Sequence, residues 1–404
     1  MSSLILNTHM KVQSIYLILI IIVINCNTEQ NKSRVISNNP ELLSSSADTT
    51  LLILESTIGN DDKNVLNKDF LLAAPYDIGV KNNGDIIVFD EERIKIFDNK
   101  GKPKKIVGRP GKGPEEFSDN QIIFINNNEC IITYPLNGLY DYYSVFSPEY
   151  KFLYKKRIDN DPVFKRYINL TDEFTDIKFL IYDNNEKLFE IETFNHLMNI
   201  RTYRLIYENN EGSSVLYEVS IPYFNSSITG LVYFCSSNNN IVEYINNCED
   251  EYLNENKGYY RLHLFNIREK KDTYFKKEFI PEQLDIENII SRLEVIQQRT
   301  NINNTNIKNE LKLLLEKQRY RRAIRCGIMA DSKYIYILPL SDLKKGKMPI
   351  DIFDIEAKIF LNTIQVPVEP RYIKNGYIYT ITEGKEGFPI IQKYKIHPSV
   401  YGKK

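Results

Sequence analysis

From Thr49 onward, short apolar runs are separated by turns rich in Asn, Gly and Asp. A chain patterned in this way is confined to all-β repeat architectures. The clearest unit is Tyr76–Gly108. Tyr76-Asp77-Ile78-Gly79-Val80 predicts a strand, and Asn82-Asn83-Gly84 carries the residues of a hairpin turn. Ile86-Ile87-Val88-Phe89 is apolar on both faces, as a strand sandwiched between two sheets must be. Arg93-Ile94-Lys95-Ile96 alternates and predicts a half-exposed strand. Asn99-Lys100-Gly101 turns the chain again before Lys105-Ile106-Val107 begins a fourth strand.

Four short strands joined by tight turns make one blade of a β-propeller. The unit is echoed at Ile122–Ile125, Cys130–Thr133, Tyr143–Phe146 and Lys151–Tyr154. It returns at Tyr334–Ile337, Ile350–Asp354, Asn375–Thr380 and Ile390–Ile396. Residues 160–260 are strand-rich without a legible register. The expected fold is all-β, a six-bladed propeller over residues 49–400, at about 50 residues per blade. Counting alone is also compatible with seven shorter blades. One segment breaks the pattern: Leu284, Ile286, Ile289, Ile290, Leu293 and Ile296 fall at helical spacing, and Leu311, Leu313, Leu314 and Leu315 follow a TNINNT loop. This predicts a helical hairpin over 282–321, inserted in a connection between blades, and so a candidate for specific function.

Gly108–Phe117, GRPGKGPEEF, resembles the GRxGxGPGEF-type element of six-bladed NHL-like/TolB-like propellers of bacterial lipoproteins. Gly111, Gly113 and Pro114 match that family's turn, while Glu115 stands in place of its last Gly. The C-terminal IKNGYIYTITEGKEGFPIIQKYKI is similar to the family's closing blade. The resemblance implies that an N-terminal strand completes the last blade, a role open here to Thr50–Leu54. It covers about half of the chain beyond the leader and implies a fold rather than an activity.

Residues 1–25 are predicted to be a signal peptide of the lipoprotein type. Ile15–Ile24 is apolar apart from the Tyr16 hydroxyl and follows Lys11; it is about half the length of a bilayer-spanning helix. Met10-Lys11 would make a tidier start than Met1. Val23-Ile24-Asn25-Cys26 resembles a lipobox, which implies lipidation of Cys26, although Asn25 occupies a position where Gly, Ala or Ser is usual. A plain cleaved signal and an uncleaved anchor are the alternatives. Residues 26–48 are polar and aperiodic and read as a flexible tether.

Lys and Arg number 52 against 53 Asp and Glu, so there is no basic excess to suggest nucleic acid as a partner. The Asn, Ile, Lys and Tyr content looks like the codon bias of an AT-rich genome, so the Asn runs are not taken as functional evidence. Cys235 and Cys248 flank a turn-like stretch and are the pair best spaced for a disulfide, whereas Cys130 and Cys326 read as core thiols. His9, His196, His263 and His397 are scattered singly, and no CxxC spacing occurs, so no cofactor is expected. Asp90, Asp98, Asp351 and Asp354 could converge on an axis to hold Ca²⁺, or simply accept hydrogen bonds from turn amides. GRPGKGPEEF lacks the order of a phosphate loop and reads as a connection between blades. Arg319, Arg321, Arg322 and Arg325 form a basic cluster that could engage an acidic partner or lipid headgroups.

These readings point to a binding or scaffolding module of the bacterial cell envelope, exported and held by its lipid anchor. It would take a protein, peptide or glycan ligand on a propeller face. A Ca-dependent propeller hydrolase, lactonase or lyase acting at the central channel is the competing class. A structural protein that docks a partner through the helical insertion is a third.

Overall fold

The computed structural model describes residues 51–402, except 60–67, 119, 136–141, 161, 168–173, 184, 196–199, 223–230, 239, 248–250, 254–256, 287–290, 292–319, 321, 340–347, 368 and 386. The leader, tether, Cys26 and Cys248 therefore lie outside the described residues. So does nearly all of the 282–321 segment, of which Gln283 and Tyr320 bridge at its base.

β1 (Leu52–Ile58) is the first strand described, and blade 1 follows as an antiparallel sheet. Its strands are β2 (Pro75–Val80), β3 (Ile86–Asp90), β4 (Arg93–Phe97) and β5 (Pro103–Val107). The two-residue strands β6 (Arg109–Pro110) and β7 (Glu116–Phe117) lead on to blade 2. There β8 (Gln121–Ile125), β9 (Ile131–Pro135), β10 (Tyr142–Phe146) and β11 (Phe152–Arg157) pair in order. Blade 3 is longer, with β12 (Phe174–Tyr182), β13 (Glu186–Asn195), β14 (Ile200–Asn209) and β15 (Gly212–Pro222).

In blade 4, β16 (Val232–Asn238) pairs with β17 (Ile241–Asn246), and β18 (Glu251–Leu253) continues along the same edge of β19 (Gly258–Asn266). β20 (Lys271–Phe279) closes that sheet. Blade 5 holds β21 (Ile324–Ala330), β22 (Tyr334–Pro339), β23 (Met348–Asp354) and β24 (Ile359–Val366). Blade 6 holds β25 (Tyr372–Lys374), β26 (Tyr377–Glu383) and β27 (Pro389–Ile396). Its outermost strand is β1, paired antiparallel with β27 from Leu52↔Ile396 to Ile58↔Ile391. The six-bladed propeller is thus closed by the chain's own N-terminal strand, as the family resemblance implies.

Period-two alternation explains how the blades join. In β3, Ile86 and Val88 point to one side and pack with Tyr379 and Ile391 of blade 6. Ile87 and Phe89 point to the other and pack with Phe117, Ile123 and Phe146 on the blade 2 side. Every pair of successive blades has a buried apolar seam of this kind. In the seam between blades 2 and 3, the Phe179 ring meets Tyr134 at 5.0 Å and Phe164 at 6.1 Å between centroids, both edge-on. Phe164 lies on the short helix Pro162–Tyr167.

One expectation for blade 1 is overturned. β4 is not half exposed: Lys95 is 1% accessible, and its ammonium bonds to Asp90 at 2.6 Å and to the Leu71 carbonyl at 2.5 Å. A polar residue on alternation can lie inside a seam when its counter-charge comes from a neighbouring strand. GRPGKGPEEF is a connector, as its residues suggest. Gly111 N–H donates to the Phe117 carbonyl at 2.8 Å, and β6 pairs parallel with β7. Gly108 has φ +78°, and a Cβ there would lie 2.3 Å from the Phe117 ring, so this turn requires glycine.

Candidate functional site

Each blade's first strand in the chain is its inner one: β2 touches β8 and β25, β16 touches β12 and β21, and β21 touches β25. Where these inner strands turn outward into the second strands, they enclose an axial cavity of about 280 Å³. All six blades line it: Asn82 from blade 1, Asn126 from blade 2, Asp183 from blade 3, Ser236 from blade 4, Asp331 from blade 5 and Lys374 from blade 6.

The two carboxylates are largely engaged by the protein. Asp331 accepts from the Lys333 and Tyr334 amides at 3.0 and 2.9 Å and from the Tyr336 hydroxyl at 3.0 Å. Asp183 accepts from the Asn128 side chain at 3.1 Å. Asn126 is also structural, donating to the Tyr182 carbonyl and accepting from the Cys130 amide, both at 2.8 Å. Lys374 differs: among the described residues its ammonium makes no hydrogen bond or ion pair. Burial holds that ammonium below the usual lysine range, opposed by the charges of Glu129 and Asp331. Lys81, next to Asn82, is already satisfied by the Pro148 carbonyl at 2.5 Å and lies 4.4 Å from the Tyr150 ring centroid.

A second, smaller cavity of about 180 Å³ lies in the seam between blades 3 and 4. Cross-strand register places Asp176 opposite Glu192 and Lys178 opposite Glu190, all facing blade 4. Burial pushes Glu190 up to about 8 against the pull of Lys178, and Glu192 up to about 7 despite an Arg201 contact at 2.9 Å. Nearby, burial also pushes Glu243 up to about 7, although the Ser237 amide donates to it at 3.0 Å. Cys235, opposite Glu243 in the sheet, is a free thiol with its Sγ 3.7 Å from that carboxyl. Cys248, with which sequence spacing pairs it, lies outside the described residues.

The carboxylates singled out by sequence do not share a site. Asp90 accepts from the Ala73 and Ala74 amides and from Lys95. Asp98 serves the Lys100 and Lys102 amides of its turn, and Asp354 serves Ala357. Asp351 is buried and takes Tyr260, Thr363 and Lys277. His263 pairs with Asp272 at 2.7 Å and stacks on Tyr244; His397 caps the C-terminal turn. Among the described residues no three His, Cys, Asp or Glu side chains are placed to hold a metal ion. Of the basic cluster, Arg319 and Arg321 lie outside the described residues, and Arg325 falls in β21. Arg322 is part-buried and donates to the Asn247 carbonyl at 2.7 Å.

The axial residues were not singled out by sequence. The signal was present as Asn at the inner-strand turns, at Asn82, Asn126, Asn127 and Asn375. It is hard to separate from the Asn abundance of the whole chain.

No known family model and no curated protein sequence matches this chain. Among solved structures it is similar to a protein proposed to be exported from Bacteroides fragilis, with 12% identity and a TM-score of 0.43 over 87% of this chain and 97% of that one. It is also similar to the β-propeller domain of the Trilobed protease from Pyrococcus furiosus, with 10% identity and a TM-score of 0.35 over 80% and 95%. The Pan2 WD40 domain of Neurospora crassa shows 7% identity and a TM-score of 0.35 over 85% and 95%. None of these likenesses lends the chain a function.

Proposed function

We propose that this protein is an exported, lipid-anchored binding module of the cell envelope that holds its ligand at the mouth of the propeller axis. The observation that carries the reading is the convergence of all six blades on one polar cavity. Concave sites with a few converging polar groups on a rigid scaffold are where ligands bind. The anchor rests on the apolar run Ile15–Ile24 and on Cys26 in a lipobox-like setting. The axial carboxylates Asp183 and Asp331 are committed to turn and tyrosine contacts, which favours binding over calcium-assisted hydrolysis at this place.

The test is a thermal-shift panel of peptides and glycans on the full chain in detergent, run beside Ser332→Trp. Ser332 is an exposed lining residue on the turn after β21, so a bulky ring there fills the cavity without entering the core. Compounds that stabilise the parent chain are expected to lose their effect in Ser332→Trp. Compounds that stabilise both equally would place the binding surface elsewhere.

A further inference from the structure

The chemistry of the axial lining narrows the ligand, an argument that rests on the axial-site reading. Three neutral side chains at the rim, Asn82, Ser332 and Asn375, make no hydrogen bond of their own among the described residues, and each comes from a different blade. Such groups offer paired donors and acceptors to hydroxyls. At about 280 Å³ the space sits near the lower edge of small-molecule sites, roughly 300–1,000 Å³. It therefore suits a single small ring rather than an extended chain.

Charge adds the deciding feature. Of the three charged lining residues, Asp331 carries three protein hydrogen bonds and Asp183 is held by Asn128. Lys374 alone of the three makes no hydrogen bond or close ion pair among the described residues. A half-buried ammonium that makes no hydrogen bond or close ion pair is costly, and an occupant bearing an anionic group offsets that cost on binding. Glu129 and Asp331 stand close enough to influence Lys374, and Glu129 is itself held by the Asn82 amide at 3.1 Å. A carboxylate reaching Lys374 must therefore be placed by hydroxyl contacts at the rim, so a bare anion would not suffice.

We infer that the axial cavity takes a hydroxyl-rich small molecule bearing a carboxylate, of the uronic-acid type, with Lys374 as the residue that selects the acid over its neutral counterpart. The test is isothermal titration of the full chain with D-glucuronate, D-galacturonate and D-glucose, repeated with Lys374→Gln and Ser332→Trp. At least one uronate is expected to bind tenfold or more tightly than glucose. Lys374→Gln is expected to lower the affinity of that uronate tenfold or more, to the level of glucose, and Ser332→Trp to abolish binding of both. Equal binding of acid and neutral sugar, or a preference that survives Lys374→Gln, overturns the assignment of the acid. Uronate binding that survives Ser332→Trp overturns the axial site as well. If no sugar binds while peptides from the thermal panel do, and lose their effect in Ser332→Trp, the sugar acid is wrong and the axial site stands.

Discussion

Asp90→Ala is expected to destabilise the protein by about 3–5 kcal/mol, enough to consume a large part of the stability of an ordinary domain. Asp90 is fully buried, and its carboxylate takes the Ala74 amide at 2.6 Å, the Ala73 amide at 3.2 Å and the Lys95 ammonium at 2.6 Å. Its removal leaves a lysine charge that is 1% accessible with only the Leu71 carbonyl and the exposed Glu91 to hold it. It also strips the two amides that fix the chain just before blade 1. The double variant Asp90→Asn with Lys95→Met is expected to lose clearly less than Asp90→Ala alone, because no unpaired charge remains inside. Urea denaturation followed by far-ultraviolet circular dichroism measures both. A loss below about 1 kcal/mol for Asp90→Ala would mean that the pair is solvated in solution.

The second large effect is one of pH. Glu190, Glu192 and Glu243 around the seam between blades 3 and 4 are raised by burial to about 8, 7 and 7, from an ordinary 4.5. Asp77 between blades 1 and 2 is raised to about 6 from 3.8 in the same way, against the pull of the Ile123 amide it accepts at 2.7 Å. A raised carboxyl keeps its proton in the folded state at a pH where the unfolded chain has released it. The stability this contributes is complete below the unfolded value of 4.5 and is lost as pH rises through 7 to 8. The fall is expected to total a few kcal/mol, to order of magnitude, and Glu190→Gln, which mimics the protonated form, should flatten it. Glu55 and Asp85, whose values are lowered by Lys393 and Lys104, act in the opposite sense and only at more acid pH. Urea midpoints that stay level or rise between about pH 5 and pH 8.5 would contradict this account of the seam.

Blade 1 is legible because its apolar runs are short, its turns carry Asn-Gly and Lys-Gly, and its second strand buries both faces. The role of β1 is legible only through the family resemblance, which implies an N-terminal strand completing the last blade at Thr50–Leu54, and β1 does pair with β27. Blades 3 and 4 are opaque because the side chains facing their shared seam include Asp176, Lys178, Glu190 and Glu192. Charged residues inside a seam erase the apolar contrast by which strands are recognised. β17 and β18 hide the fourth blade further by splitting one strand position in two. Lys95 shows the same failure on a smaller scale, since alternation alone does not tell water from a buried partner such as Asp90. The axial site leaves only a weak mark in the sequence, the Asn residues of the inner-strand turns. It is made of one to five residues from the strand ends and turns of each of six blades, and only the closed ring brings Asn82 and Lys374 to one cavity.

The central claim is that one ligand touches all six blades at the axis. Hydrogen exchange of the full chain, with and without the tightest binder from the thermal panel, tests it most directly. The account predicts slowed exchange where the inner strands turn outward in every blade, around Asn82, Asn126, Asp183, Ser236, Asp331 and Lys374. Protection confined to the outer strands of a single blade, such as β11 or β1, would contradict it.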